Sequence, residues 1–498
     1  MSEYLIGLDV STTASKAVAI DVNGAVVATA SHDHQLDTPR PLWSEQDPAE
    51  WWRASCASLR QVASVIPQGS IAALGLTGQM HGLTALDAQD EPLRPAILWN
   101  DQRSAAQCDA ITEAIGEDKL YRLIGSRIFP GFTAPKIAWL REHEPEVFGR
   151  IAQVLLPKDY VRFLLSGERV TDVADGSGMA LMDIGARDWS GEMLEALAIP
   201  RDWLPALTES QEVCAELSAA GAAASGLPVG TRIVGGAGDQ PAGGVGSGVV
   251  DAGQLSLAMG TSGVAYAIND RYEPDQQGRL HTFCGPIPGT WFSMGVMLSA
   301  AGGLRWLRDA LAPDMGFEEL AALAEDIPPG AEGLLFAPWL SGERHPHPDP
   351  LARGAFVGLT LRHGLGHMVR AVMEGVAFGI RESLDLLQAQ GLNPSDAVIQ
   401  GGAVNSPLWR QLTTDIMDLP LYRVNTSEGA ALGAAILAAV GVGAFPDVST
   451  ACATMVQRLD ESLPQMALVE RYNEIFATYR ALYPALAPQF HQLSRLDA

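Results

Sequence analysis

The chain has 498 residues, 47% of them hydrophobic, and its 58 acidic residues outnumber 33 basic ones, giving a formal net charge of −25. This length exceeds what one hydrophobic core usually serves and predicts two domains of about 250 residues each. The negative charge repels nucleic acid and anionic lipid, so we expect neither a nucleic-acid nor a membrane partner. The five cysteines include no CxxC pair, which predicts reduced thiols and a cytoplasmic location.

Three short apolar runs at the start of the chain predict three antiparallel strands, over 4–10, 16–21 and 26–30. The turn between the first two is rich in serine and threonine. It offers backbone N–H groups, hydroxyls and the Lys16 ammonium to an anion, and the Asp9 carboxylate stands at the strand end, suited to a hydrated Mg²⁺ ion. An ordinary β-turn gives the same pattern, so both interpretations stay open at this point.

A predicted strand over 71–76 ends in Gly78-Gln79-Met80-His81-Gly82. Ligands gather at strand ends in open α/β sheets, and small residues leave room there for a ligand beside the imidazole of His81. A structural histidine is the alternative.

Further along the chain, residues 171–178 are predicted as a polar loop. This loop either lines a cleft or is structural.

The glycine-rich stretch 235–244 holds one carboxylate, Asp239, with no cation within five residues. Glycines let the backbone turn sharply and approach another molecule closely. This is a suitable setting for a general base. A flexible surface loop with a solvated aspartate is the alternative.

Residues 255–268 repeat the strand, small-residue turn and strand of the N-terminus, with Gly260, Thr261 and Ser262 in the turn. The repeat predicts two domains of related design, over 1–247 and 248–498, each facing a cleft with one phosphate-binding hairpin. Asp239 would then lie beside the hinge.

A third glycine turn follows the predicted strand that starts at Val398, and it contains Gly401, Gly402 and Ser406. A strand, a glycine turn and a helix N-terminus in this order suit the binding of a nucleotide.

Two further segments are predicted to be structural. The polar loop 341–350 lacks regularly spaced metal ligands and is predicted to be structural. The apolar run 429–445 is predicted as a packed helix, because it is too short and too rich in small residues for a membrane span.

These stretches together resemble the FGGY family of carbohydrate kinases over nearly the whole chain. Residues 131–143 and 354–374 look like its two signatures, and 42–48, 78–82 and 155–160 are similar to the bacterial members that act on D-xylulose. The resemblance implies an α/β fold of two actin-like, hexokinase-like (ribonuclease H-like) domains flanking an ATP cleft.

The resemblance also implies roles for individual residues. Asp239 matches the catalytic base, and Met80 and His81, with Asp239 and Gln240, match the sugar site. ATP and its phosphates match a longer set: Asp9, Thr12, Thr13, Lys16, Gly260, Thr261, Ser262, Gly401, Gly402 and Ser406. Mg²⁺ would be held through water by Asp9 and Asp239.

The implied reaction is ATP-dependent phosphorylation of D-xylulose at its 5-hydroxyl, in xylose catabolism, with a homodimer as the expected assembly. A kinase for ribulose or arabitol and a sugar-independent actin-like ATPase are the alternatives. Glycerol kinases carry Arg-Glu in place of Met80-His81, which argues against glycerol. Three departures from the family pattern, Ser11, Gln240 and His345, leave the sugar open but not the kinase class.

Overall fold

The computed structural model describes residues 4–67, 69–426 and 428–496. Its strands are β1 Tyr4–Val10, β2 Ala14–Asp21, β3 Val26–Asp33, β4 Glu45–Gln46, β5 Ile71–Gly78, β6 Thr84–Leu86, β7 Ala96–Ile97, β8 Gln153–Leu155, β9 Val170–Asp172, β10 Met182–Asp183, β11 Asp188–Trp189, β12 Ala206–Thr208, β13 Val213–Glu216, β14 Arg232–Val234, β15 Ala237–Gly238, β16 Leu255–Met259, β17 Gly263–Asn269, β18 His281–Cys284, β19 Trp291–Met297, β20 Leu335–Ala337, β21 Ala355–Val357, β22 Ala397–Gln400, β23 Leu421–Val424 and β24 Arg458–Ser462.

The helices cover the faces and ends of two large sheets. They are α1 Pro48–Ala63, α2 Ala105–Ile115, α3 Glu117–Ile124, α4 Thr133–His143, α5 Pro145–Phe148, α6 Pro157–Ser166, α7 Val173–Gly176, α8 Gly191–Leu197, α9 Ala219–Ser225, α10 Asp239–Gly246, α11 Ala301–Leu311, α12 Phe317–Glu325, α13 Leu365–Ala389, α14 Pro407–Met417, α15 Gly429–Gly441, α16 Val448–Met455, α17 Met466–Arg480 and α18 Leu482–Ser494.

The first sheet has the strand order β13-β14-β5-β1-β2-β3, with β15 also paired to β5. β1 and β2 form an antiparallel hairpin, and β3 continues it as the predicted meander. β5 lies parallel to β1 on the other side. Hydrophobic side chains of these strands, such as Leu8 and Leu76, are fully buried.

The second sheet repeats this arrangement, with the order β18-β19-β17-β16-β22-β23-β24. β16 and β17 form an antiparallel hairpin, and β22 lies parallel to β16 just as β5 does to β1. The predicted internal repeat is therefore confirmed at the level of the two hairpins. The domain limits 1–247 and 248–498 stay a prediction.

The glycine-rich stretch around Asp239 is not the flexible surface loop that the sequence left open. Residues 237–238 pair with β5, and α10 begins at Asp239 itself. The glycines of α10 allow this helix to pack closely against α15. A methyl group at Gly246 would lie 2.0 Å from the carbonyl oxygen of Gly429, and one at Gly433 would lie 1.8 Å from that of Ala242.

Helix α15 also packs on the first sheet, although it comes from the second half of the chain. A methyl group at Gly7 of β1 would lie 1.8 Å from the carbonyl oxygen of Ala431, and one at Gly75 of β5 would lie 2.0 Å from that of Ala434. The run 429–445 is thus a packed helix, as predicted. Within the described residues, no helix combines the length and the hydropathy that crossing a membrane requires.

The prediction of a polar loop over 171–178 was wrong, because most of it is helical and buried. α7 occupies 173–176, and a short 3₁₀ turn follows over 177–179. The Asp172 carboxylate caps α7 by accepting a bond from the Asp175 amide at 2.9 Å. The Lys158 ammonium lies 2.7 Å from Asp172 and 3.3 Å from Asp175. These carboxylates can be buried because Lys158, at the start of the preceding helix α6, pairs with them.

We expect the α10–α15 crossing to be sensitive to a single methyl group. Gly246→Ala should lower the free energy of unfolding by about 3 kcal/mol or more, because the added carbon meets backbone that cannot rotate away. Gly243→Ala in the same helix is the matched control, since a methyl group there meets nothing within 4 Å. That change should be neutral or stabilise by about 0.5–1 kcal/mol. The measurement is urea unfolding of both variants. Equal urea midpoints for the two variants would contradict the close packing of α10 against α15 at Gly246.

Candidate active site

Two carboxylates meet at the carboxyl end of β5. Asp9 of β1 is aligned with Thr77 of β5 on one side. On the other side Ala237 and Gly238 are aligned with Thr77 and Gly78, and α10 starts at the next residue. Asp9 and Asp239 therefore flank the same strand end, and the sheet register alone brings them together.

The electrostatics of this pair favour a proton or a cation. Burial raises the pKa of Asp239 to about 6, against the bonds that it accepts from Gln240. Burial, and then the charge of Asp239, raise the pKa of Asp9 to about 7, while the Lys16 charge lowers it. Such raised values are typical of functional carboxylates.

The two carboxylates fit a magnesium ion better than a metal held by protein alone. Oδ1 of Asp9 is buried and has no hydrogen-bond partner among the described residues. The same residues contain no group of three or more His, Cys, Asp or Glu that could hold a metal. Mg²⁺ usually takes one or two carboxylates and completes its shell with water and substrate phosphates.

The predicted first phosphate hairpin has a regular turn. Ser11, which stands where the family usually has glycine, does not adopt positive φ, and its hydroxyl donates to the Ala14 carbonyl at 2.8 Å. The Thr12 hydroxyl accepts a bond from Trp99 Nε1 at 3.0 Å, and the Thr13 side chain is exposed. The departure at Ser11 therefore introduces no backbone strain.

Lys16 on this hairpin pairs with a residue from the second half of the chain. Its Nζ lies 2.6 Å from Glu428 Oε2, just before α15. The ion pair thus ties the hairpin to the helix that crosses α10. No local pattern predicts this pair, because nothing in the sequence marks residues more than 400 positions apart as partners.

Met80 and His81 lie side by side next to this strand end, and both are buried. His81 has a φ of 68°, a conformation that costs energy for most residues and is often found at functional sites. Its carbonyl oxygen accepts bonds from Thr133 Oγ1 at 3.0 Å and Lys136 Nζ at 2.9 Å. Both donors are at the start of α4, which sequence reasoning did not assign to the site.

Glycines bring Asp239, Met80 and His81 together. A methyl group at Gly238 would lie 2.6 Å from Met80 Cγ, and one at Gly178 would lie 2.4 Å from His81 Nδ1 and 3.4 Å from Met80 Cε. His81 Nδ1 is 2.7 Å from the Gly178 carbonyl oxygen, so it carries the proton and leaves Nε2 as an acceptor. Burial lowers the pKa of His81 to about 3, so the ring is neutral.

The other predicted nucleotide residues form a second group on the second sheet. The turn Gly260-Thr261-Ser262 joins β16 to β17, and its carbonyls accept bonds from the first residues of α11. Gly401 has a φ of 93°, and a methyl group there would lie 2.5 Å from the Met259 carbonyl oxygen. The two glycine turns are therefore neighbours.

Gly402 starts the short 3₁₀ turn 402–405, and Ser406 caps α14 by accepting a bond from the Trp409 amide at 3.3 Å. The Ser406 hydroxyl thus has a structural partner.

Two residues that depart from the family pattern also have partners. Gln240 follows the candidate base, and its Nε2 lies 3.4 Å from Asp239 Oδ1. His345 is buried, and its Nδ1 accepts a bond from the Val296 amide at 2.8 Å.

Comparison with known proteins identifies the class. The N-terminal and C-terminal domain models of the FGGY family of carbohydrate kinases match residues 4–246 and 255–442. The xylulose kinase of Escherichia coli strain K12 is 40% identical over 485 residues, which are 97% of this chain and 99% of that protein.

Two solved structures are also similar. A xyloylose kinase from Brucella ovis is 38% identical with a TM-score of 0.92, over 98% of this chain and 100% of that one. A gluconate kinase from Lactobacillus acidophilus is 28% identical with a TM-score of 0.95, over 99% and 100%.

The fold is that of two-domain sugar kinases with the actin-like ATPase architecture. The chain belongs to the FGGY family of carbohydrate kinases. It is therefore a phosphotransferase with a sugar as acceptor, and the enzymes of this family use ATP.

The raised pKa of Asp239 predicts a stability cost at neutral pH. The group binds its proton more tightly in the folded than in the unfolded chain, so ionisation above about pH 6 destabilises the fold by up to about 3 kcal/mol. Asp239→Asn should raise the melting temperature of the ligand-free protein at pH 8, and the gain should shrink between pH 6 and pH 4. Asp270→Asn, at a side chain that is 73% exposed, is the control. Equal melting temperatures for wild type and Asp239→Asn at pH 8 would show that the site does not strain this carboxylate.

Proposed function

We propose that this kinase transfers the γ-phosphoryl group of ATP to the 5-hydroxyl of D-xylulose, with Asp239 as the general base. The observation that carries the proposal is the position of Asp239. It stands at the start of α10, near Asp9 and directly after Gly238, which packs on the Met80 side chain, and its pKa of about 6 is near the working pH of an enzyme. A general base is most effective when its pKa lies in that range.

Residues beside Asp239 suit the sugar. Neutral His81 offers Nε2 as an acceptor for a sugar hydroxyl, and Met80 offers an apolar surface for the carbon chain. Gln240 would hold the Asp239 carboxylate toward the substrate, and the 3.4 Å distance from its Nε2 to Asp239 Oδ1 supports this role. The relatives named xylulose kinase, at 40% and 38% identity, support D-xylulose as the sugar.

ATP would bind between the two glycine-rich groups. We assign the phosphates to the backbone around Thr12 and Thr13, to Lys16 and to Gly260, Thr261 and Ser262, and the adenosine to Gly401, Gly402 and Ser406. Mg²⁺ would be held through water by Asp9 and Asp239, and when bound it neutralises charge on the phosphates. The orphaned Oδ1 of Asp9 supports this assignment.

Catalysis then rests on positioning and on one proton transfer. The sugar oxygen forms a bond to the γ-phosphorus, the bond from that phosphorus to the β–γ bridging oxygen breaks, ADP leaves, and the hydroxyl proton passes to Asp239. Phosphoryl transfer requires little from a protein besides alignment and charge stabilisation.

We further propose domains over 1–247 and 248–498 that close to exclude water. A homodimer, a cytoplasmic location and a role in xylose catabolism stay predictions.

A panel of acceptors tests the substrate. ADP release is measured with D-xylulose, D-ribulose, D-arabitol, glycerol and no sugar. We expect the highest kcat/KM with D-xylulose and a small rate without sugar. A higher kcat/KM with ribulose or arabitol would reassign the sugar, and a sugar-independent rate as fast as the stimulated one would favour an ATPase.

Substitution of the base tests the mechanism. Asp239→Asn should lower kcat by at least about 10²-fold with little change in the sugar KM, because Asn keeps the shape but accepts no proton. In the wild type, kcat/KM for the sugar should fall below about pH 6 as Asp239 becomes protonated. Asp270→Asn is again the control. Near-normal turnover of Asp239→Asn would remove Asp239 from the role of base.

A further inference from the structure

Arg344 carries a partly buried guanidinium close to His81 and His345. Within the described residues it enters no ion pair and donates no hydrogen bond; it only lies over the Phe129 ring at 5.3 Å. Buried arginines elsewhere are paired, as Arg162 is with Asp159 and Arg370 is with Glu374. A partly buried cation without an anion costs free energy, so a partner that is not part of this chain would stabilise it.

Aromatic rings connect this cation to the candidate sugar site. The Phe129 ring lies 5.7 Å from that of Phe132, which in turn lies 4.7 Å from the His81 ring. His281 and His345 pack against the same rings from the second half of the chain. Arg344 thus belongs to a wall that both halves of the protein build.

The three histidines of this wall carry no charge that adds to that of Arg344. Burial, with a smaller contribution from the nearby Arg344 charge, lowers the pKa of His81 and of His345 to about 3. Burial and the neighbouring charges hold the pKa of His281 well below its usual range. The three imidazoles are therefore neutral. Arg344 adds a positive charge beside these rings, as Lys136 does at the His81 carbonyl.

The contacts give the site a direction. Asp239 follows Gly238, which packs on Met80; Met80 and His81 both pack on Gly178, and the rings beyond His81 lead to Arg344. An open-chain sugar with its terminal hydroxyl at Asp239 would have to extend along these contacts to reach the guanidinium.

We propose that Arg344 binds the end of the substrate remote from the phosphorylated hydroxyl, and that its unpaired charge gives the enzyme a second activity on sugar acids. This inference rests on the proposed function. Arg344 would donate to the carbonyl oxygen of a ketose and would pair more strongly with the carboxylate of a five-carbon aldonate, because guanidinium and carboxylate match in geometry and charge. A polyol has only a hydroxyl at that end, so it would gain the least binding free energy from Arg344.

The reaction with a sugar acid is the same transfer. The 5-hydroxyl oxygen of D-xylonate bonds to the γ-phosphorus of ATP, ADP leaves, and the hydroxyl proton passes to Asp239. The carboxylate at carbon 1 takes no part in the chemistry and only binds.

The test compares D-xylonate, D-xylulose and D-arabitol with wild type, Arg344→Gln and Arg344→Lys. In Arg344→Gln we expect kcat/KM to fall at least about 100-fold for D-xylonate, about 10-fold for D-xylulose and little for D-arabitol, since charge-assisted bonds are the strong ones. The losses should appear in KM, not kcat. Arg344→Lys should retain part of the D-xylonate activity. Arg271→Gln, at a side chain that is 77% exposed, controls for net charge.

Equal losses for all three acceptors in Arg344→Gln would overturn the inference, as would a wild type without D-xylonate-dependent ADP release. A retained D-arabitol rate shows that the variant is folded. The proposed function would fail separately if the wild type phosphorylated D-arabitol or D-xylonate but not D-xylulose. In that case the ratio of kcat/KM for D-xylonate to kcat/KM for D-arabitol, compared between wild type and Arg344→Gln, would still test the role of Arg344.

Discussion

The site depends on two carboxylates held side by side at the end of one strand. β5 aligns Asp9 on one side with the start of α10 on the other, so their separation is set by backbone hydrogen bonds. Burial raises the pKa of both carboxyl groups, and the charge of Asp239 raises that of Asp9 further. The Lys16 charge offsets only part of this cost at Asp9, so the pair is organised for a ligand that supplies a further positive charge.

The second half of the chain secures this arrangement. α15 crosses α10 at contacts too close for any side chain at Gly246 or Gly433, and it packs on β1 and β5 by the same means. Its approach also brings Glu428 to Lys16. The candidate base, the first phosphate hairpin and the helix from the second half therefore form one unit, and a displacement of α15 would change the position of Asp239.

Local patterns predicted the hairpins, and tertiary contacts decided the rest. The strands over 4–10 and 255–259 follow from short apolar runs of strand length, and their shared layout follows from comparing the two runs. The helix at Asp239 was missed because glycines disfavour helices, and only packing against α15 makes them favourable there. The helical turn at 173–179 was missed because its charges are neutralised by Lys158, which precedes it by about one helix. Roles for Asp239, Met80 and His81 came from resemblance to a family, and the geometry now gives physical reasons for them. The partners of His81 in α4 and the unpaired Arg344 are long-range features that no local pattern contains.

The most direct test is a crystal structure with D-xylulose, Mg²⁺ and a non-hydrolysable ATP analogue. We expect an Asp239 carboxylate oxygen to lie about 2.6–3.2 Å from the 5-hydroxyl oxygen, with Asp9 on the side of the phosphates. A sugar bound with its 5-hydroxyl out of reach of Asp239, or an Asp239 side chain turned away from the sugar, would contradict the role of the carboxylate pair.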